Sequence, residues 1–142
     1  MSAAAKRIDV ALTRIVIRDR DEKQYIVLAE VGGTRAFPIV IGNSEAGEIQ
    51  RVVHGEQPER PLTHQLAFEV IRALGGRIEG VDIIDLKHNT FYAQIHVVNG
   101  AGEAAVIDAR PSDAIALALR AKCPIRVTED VLARASDSKD AP

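Results

Sequence analysis

The stretch IDARPSDAIALALRAK, residues 107–122, decides how this chain folds. An apolar run enters it and an Ala/Leu-rich run leaves it. Between them stand Asp108, Arg110, Pro111, Ser112 and Asp113. The order predicts a strand, a turn and then a helix over about 113–122, stopping before Pro124 because the residue ahead of a proline avoids helical backbone. Ser112 is read as the N-cap, a position where serine in place of alanine is worth roughly 1 kcal/mol. Asp113 then falls in the first turn, where a carboxylate meets the positive end of the helix. The same residue types also suit a charged site, so both readings stay open.

Working outward, strands are predicted over 77–87, 91–98 and 103–109. His88-Asn89 turns the first pair, and Asn99-Gly100 is read as the hairpin of the second. Before them a helix over 64–74 takes Thr63 as its cap and buries Leu66, Ala67, Val70, Ile71 and Leu74. A helix over 44–54 carries an apolar stripe of Ala46, Ile49, Val52 and Val53 and stops at Gly55. The N-terminal part predicts strands over 8–17, 24–31 and 35–41, with a polar DRDE turn at 19–22 and a Gly32-Gly33 hairpin. Pro38 lacks an amide donor, which marks the third strand as an edge there, or as bulged. A short strand at 125–127 and a short helix capped by Thr128 close the domain, taken as residues 1–132; residues 133–142 are expected to form a disordered polar tail.

An internal match runs through this order. GGTRAFPIVIGNSEA (32–46) set against GAGEAAVIDARPSDA (100–114), an offset of 68, gives five identities in fifteen positions, including Ser44/Ser112 and Ala46/Ala114, with Glu45 opposite Asp113. Both halves read as three strands followed by a helix. The fold class is therefore α+β, a single domain with an internal duplication of two βββα units around one core.

Composition limits the partners. The 142 residues are 46% hydrophobic and 27% charged with a net charge of −2, which speaks against a cationic nucleic-acid binder of the usual kind. One cysteine, Cys123, allows no intrachain disulfide, and the N-terminus shows no apolar signal segment, so a cytoplasmic location is expected. There is no membrane-length apolar run. There is also no phosphate-binding GxxxxGK[ST] loop and no tightly spaced metal motif.

Asp108 and Arg110 are the residues hardest to read as a simple turn. With a hairpin loop of two or four residues, Asp108 shares the apolar face of Phe91, Ala93, Ile95 and Val97. An acid there must be paired. Arg110 is its natural partner, either as a structural brace or as a clamp that positions a site acid. A one-residue bulge would turn Asp108 to the other face.

FPIVIGNSEA (37–46), RPLTH (60–64), DLKHNTFYA (85–93) and DARPSDAIALALR (108–120) together resemble the bifunctional nuclease, or BFN, family; the last segment is the most specific. The resemblance covers about residues 10–132. It departs from the family pattern at Gln65, where the family usually carries an aspartate after RPLTH. It implies a small α+β domain hydrolysing phosphodiester bonds of DNA and RNA without strong sequence specificity.

The roles that follow come from chemistry. Glu45, Asp108 and Asp113 are candidate ligands for a divalent ion, Mg or Mn, whose removal by EDTA should abolish activity. His64 is the acid/base candidate, and Arg60 and Arg110 are candidate phosphate clamps. His96 falls on the outer strand face and is expected to be exposed. The alternative is a non-catalytic oligomeric module that binds a protein or an anionic ligand. The third helix, apolar nearly all round, predicts either a central helix or a subunit interface, and with it a homo-oligomer, most simply a C2 dimer.

Overall fold

The period-2 and period-3.6 patterns become seven strands and four helices in a computed structural model that describes residues 6–18 and 23–136. The strands are β1 (Arg7–Val16), β2 (Gln24–Glu30), β3 (Ala36–Ile41), β4 (Arg77–Lys87), β5 (Thr90–Val98), β6 (Ala104–Ala109) and β7 (Ile125–Thr128). The helices are α1 (Asn43–His54), α2 (Thr63–Ala73), α3 (Pro111–Ala121) and α4 (Glu129–Ser136). The DRDE turn and the last six residues lie outside the described set. Residues 133–136, assigned to the tail from sequence, continue α4.

One mixed sheet runs β3-β2-β1-β7-β4-β5-β6. Each half is an antiparallel meander, and β7 joins them, antiparallel to β1 and parallel to β4. Pro38 does sit on an edge strand, the place in a sheet where proline is tolerated. β6 keeps the offset of 68 from β3, and the N-caps Gly42 and Arg110 keep it too. That correspondence is geometric; descent from one duplicated unit stays a proposal.

The sheet curls until the Phe37 ring on β3 lies 5.5 Å from the Phe91 ring on β5. α3 lies within the core. Ala114, Ile115, Ala116, Leu117 and Ala118 are all buried, the alanines letting α1 and β4 approach while Ile115 and Leu117 contribute about 1.5–3 kcal/mol each by leaving water. The helix is thus the central one of the two alternatives, and its apolar surface is consumed by its own chain.

Three expectations are corrected. Ser112 does not cap α3, and Ser44, its counterpart in the internal match, does not cap α1. The N-caps are Gly42 and Arg110, with no side-chain cap bond at either. Pro111 explains the second case: proline favours the first helical position, so the cap is the residue before it. Leu62, not Thr63, caps α2, whereas Thr128 does receive the Val131 amide at the start of α4, at 3.3 Å. Finally, α2 has no buried residue; Leu66, Val70 and Leu74 are exposed, and only Ala67, Phe68 and Ile71 pack on the core.

Candidate active site

Three helix starts meet at one place. Asn43, Ser44 and Glu45 of α1, Thr63 and His64 of α2, and Arg110 and Asp113 of α3 line a cleft of about 640 Å³. None of the three helices carries a side-chain cap, so their positive ends and first-turn amides are directed there. A second cleft of about 580 Å³ lies between β1 and α1. Its walls are mainly apolar, with Arg14, His54 and Cys123 as its titratable groups.

Asp113 organises the site. Its Oδ1 lies 2.7 Å from His64 Nε2, and its Oδ2 accepts the Arg110 Nε–H at 2.8 Å. Arg110 Nη2 also reaches Glu45 Oε2 at 3.5 Å, across the two helix starts that the internal match aligns. Burial opposes ionisation of Asp113, but hydrogen bonds from Arg110 and His64 outweigh it and hold the carboxyl below its ordinary value. The same carboxylate, with Glu45 behind it, raises the Arg110 pKa. With Nε2–H donated to Asp113, the free lone pair of His64 is on Nδ1. His64 is one of the residues that line the cleft.

The cleft floor was not anticipated from sequence. Glu48 is buried, with Arg51 Nη2 3.1 Å from Oε1 and Arg120 Nη2 2.6 Å from Oε2. Arg51 and Arg120 each keep a buried Nε–H without a partner. The visible signal was the Glu48/Arg51 pair at helical spacing; Arg120 is brought in only by tertiary packing.

Four of the six expected site residues converge: Glu45, His64, Arg110 and Asp113. Asp108 does not join them. The connection after β5 is Asn99–Glu103, five residues rather than two or four, closed by the Asn99 amide on the Glu103 carbonyl. An odd loop inverts the parity, so Asp108 pairs in register with Gln94 on the outer face, exposed. It makes no ion pair with a described residue, so the Asp108–Arg110 brace falls as well. Arg60 is exposed outside the cleft. Asp108→Asn and Arg60→Ala are therefore expected to leave both turnover and stability nearly unchanged, within about 0.5 kcal/mol for the latter. A tenfold loss of activity in either would contradict this site.

The family model for the bifunctional nuclease domain matches residues 26–140. This chain belongs to the bifunctional nuclease domain family. An uncharacterised protein of Mycobacterium tuberculosis is 40% identical over 127 residues, covering 89% of this chain and 75% of that one. Bifunctional nuclease 1 of Arabidopsis thaliana is 31% identical over 107 residues, 73% of this chain but 33% of the plant protein. Bifunctional nuclease 1 of Oryza sativa is 25% identical over 118 residues, 81% of this chain and 36% of its own length. The match thus covers about a third of the length of these plant relatives. In this BFN domain the RPLTH and RPSDA motifs supply His64 and the Arg110–Asp113 pair, the centre of the cleft.

The residues do not fit the three-carboxylate metal set. Asp108 is on the outer face, both Asp113 oxygens are engaged by His64 and Arg110, and Glu45 faces the same guanidinium. A divalent cation between Glu45 and Asp113 would have to displace Arg110. No group of three His, Cys, Asp or Glu among the described residues is placed to hold one.

Proposed function

We propose that this BFN domain hydrolyses phosphodiester bonds in DNA and RNA at the His64–Asp113–Arg110 cleft. The observation that carries the reading is the single Asp113 carboxylate that holds both an imidazole and a guanidinium in an open cleft. Arg110 keeps Nη donors beyond its Asp113 bond, and guanidinium matches phosphate oxygens bidentately. The helix-start amides add donors for the same group. His64 Nδ1 accepts the proton of the attacking water as its oxygen bonds to phosphorus, the P–O bond to the leaving sugar oxygen breaks, and the imidazolium, stabilised by Asp113, passes the proton on to that oxygen. No step is routed through a metal.

The test is degradation of single-stranded DNA and RNA by highly purified protein, with and without EDTA. Hydrolysis in both conditions is expected. Protein that binds these substrates but cleaves neither, with Mg²⁺, Mn²⁺ or Ca²⁺ added, would establish the non-catalytic module instead. No helix among the described residues is long and apolar enough to cross a membrane, and a cytoplasmic location is part of the proposal.

Acid sensitivity follows from the same groups. Asp113 and Glu48 both have depressed folded-state pKa values; burial works against ionisation, and their arginine partners, with His64 for Asp113, overcome it. A depressed carboxyl contributes stability above its unfolded value, here 3.8 for Asp113 and 4.5 for Glu48, and loses it as pH falls through the folded value. Stability is therefore expected to decline below about pH 4.5, and less so in Glu48→Gln, as measured by urea unfolding across pH.

The homo-oligomer, most simply a C2 dimer, is now proposed through α2 instead of α3. Leu62, Leu66, Val70 and Leu74 recur every fourth residue and are 43%, 56%, 48% and 78% exposed. Glu69 and Arg72 beside them carry opposite charges that a two-fold axis can cross-pair. Light scattering should give a dimer that Leu66→Asp converts to monomer. A monomeric parent protein at micromolar concentration ends the idea.

A further inference from the structure

We infer that the outer face of the sheet carries a second phosphate-binding site, formed by Arg7, Arg126 and His96 around the buried carboxylate of Asp82 and separate from the α1–α2–α3 cleft. The geometry repeats that of the cleft. Asp82 Oδ1 accepts Arg126 Nε–H at 2.9 Å, and Oδ2 lies 2.9 Å from His96 Nε2. In the cleft, Asp113 holds Arg110 through Nε and His64 through Nε2 in the same way. Here Arg7 Nη1 adds a second guanidinium to Oδ2. His96, expected to be exposed, is thus half-buried and fixed.

The cluster holds more cations than its carboxylate needs. Asp82 is 0% exposed, and a buried charge requires a partner, but one guanidinium supplies that. Two guanidiniums and an imidazole cover it, their side chains 35%, 38% and 30% exposed. Asp82 engages one nitrogen of each side chain, so the two part-exposed guanidiniums keep further N–H donors. Burial lowers the His96 pKa, and the charges of Arg126 and Arg7 lower it further, so the positive charge of the cluster is carried by the two guanidiniums. The neighbours on this face are Asp9 of β1, in register with Arg126, and Gln94 of β5 and Asp108 of β6. Asp9 makes no ion pair with a described residue, since the Arg126 guanidinium is turned to Asp82. A phosphate group suits the vacant guanidinium donors, whose planar forks match its oxygens, and His96, fixed on the same carboxylate, lies beside them as a reporter.

The site is tested on the full chain by following histidine side-chain NMR signals, assigned for His96 by His96→Gln. Inorganic phosphate is titrated against sodium chloride at matched ionic strength and fixed pH, and a single-stranded oligodeoxynucleotide is titrated separately. His96 is expected to shift saturably with phosphate and not with chloride. Arg7→Ala, which leaves Arg126 and His96 on Asp82, should weaken that response at least about tenfold while melting stays cooperative; Arg7→Lys serves if the alanine variant does not fold. A response to inorganic phosphate alone assigns free phosphate, and one to the oligonucleotide assigns a backbone phosphodiester; either supports the site. No saturable His96 shift with either, the same shift with chloride, or unchanged affinity in the Arg7 variants overturns it. Because the probe is binding at His96, the result is independent of whether the cleft proves catalytic.

Discussion

His64→Gln is expected to slow hydrolysis of single-stranded DNA and RNA by about 10²–10⁴-fold, the usual contribution of a positioned acid or base. Glutamine preserves a polar side chain facing Asp113 but offers no basic lone pair, so the fold should persist while turnover is lost. Asp113→Asn should fall in the same direction by a smaller factor. It leaves Arg110 without its 2.8 Å carboxylate partner and removes the charge that favours the imidazolium. EDTA should leave the parent rate unchanged, since the two cleft carboxylates, Asp113 and Glu45, are engaged by Arg110 and not by a metal set. Steady-state assays on the three proteins settle the matter. Turnover by His64→Gln within a factor of a few of the parent would remove His64 from the chemistry. Loss in EDTA that Mg²⁺ or Mn²⁺ restores would return a metal to the site and require Arg110 to leave Asp113.

The largest effect on stability is expected at Glu48. This carboxylate is 2% exposed and bridges Arg51 and Arg120, both of whose Nε–H groups already lack partners. Glu48→Gln keeps the shape and deletes the charge, stranding two guanidiniums, one of them only 15% exposed. Breaking a buried pair in this way costs about 3–5 kcal/mol, on the order of 10 °C in Tm for a chain of this size. Chemical denaturation should show it as a lower midpoint with an unchanged slope. A loss below about 1 kcal/mol would mean that the arginines find water once the carboxylate charge is gone, and that the cleft floor is wetter than its burial indicates.

The sequence alone determined the element order, because each signal is local. Alternation of apolar residues marked β1 through β6, the 3.6-residue stripe marked α1, and Gly55 and Pro124 marked where helices end. It also placed Glu45 and Asp113 in first turns and brought out the motifs that name the family. What it misplaced turned on counts and neighbours that no local pattern encodes. The face of Asp108 depended on whether the Asn99–Glu103 connection holds an odd or even number of residues, and one residue inverts a whole strand. The apolar face of α2 looked buried because periodicity reports which residues share a side, not whether anything covers that side. Only the tertiary structure brought His64 to Asp113, 49 positions away, Arg120 to Glu48 and Arg7 to Asp82. These charges meet through the packing of α3 against α1 and α2, and of β1 and β4 on either side of β7. That packing is driven by non-directional apolar burial, which leaves no mark in the spacing of the charged residues it brings together.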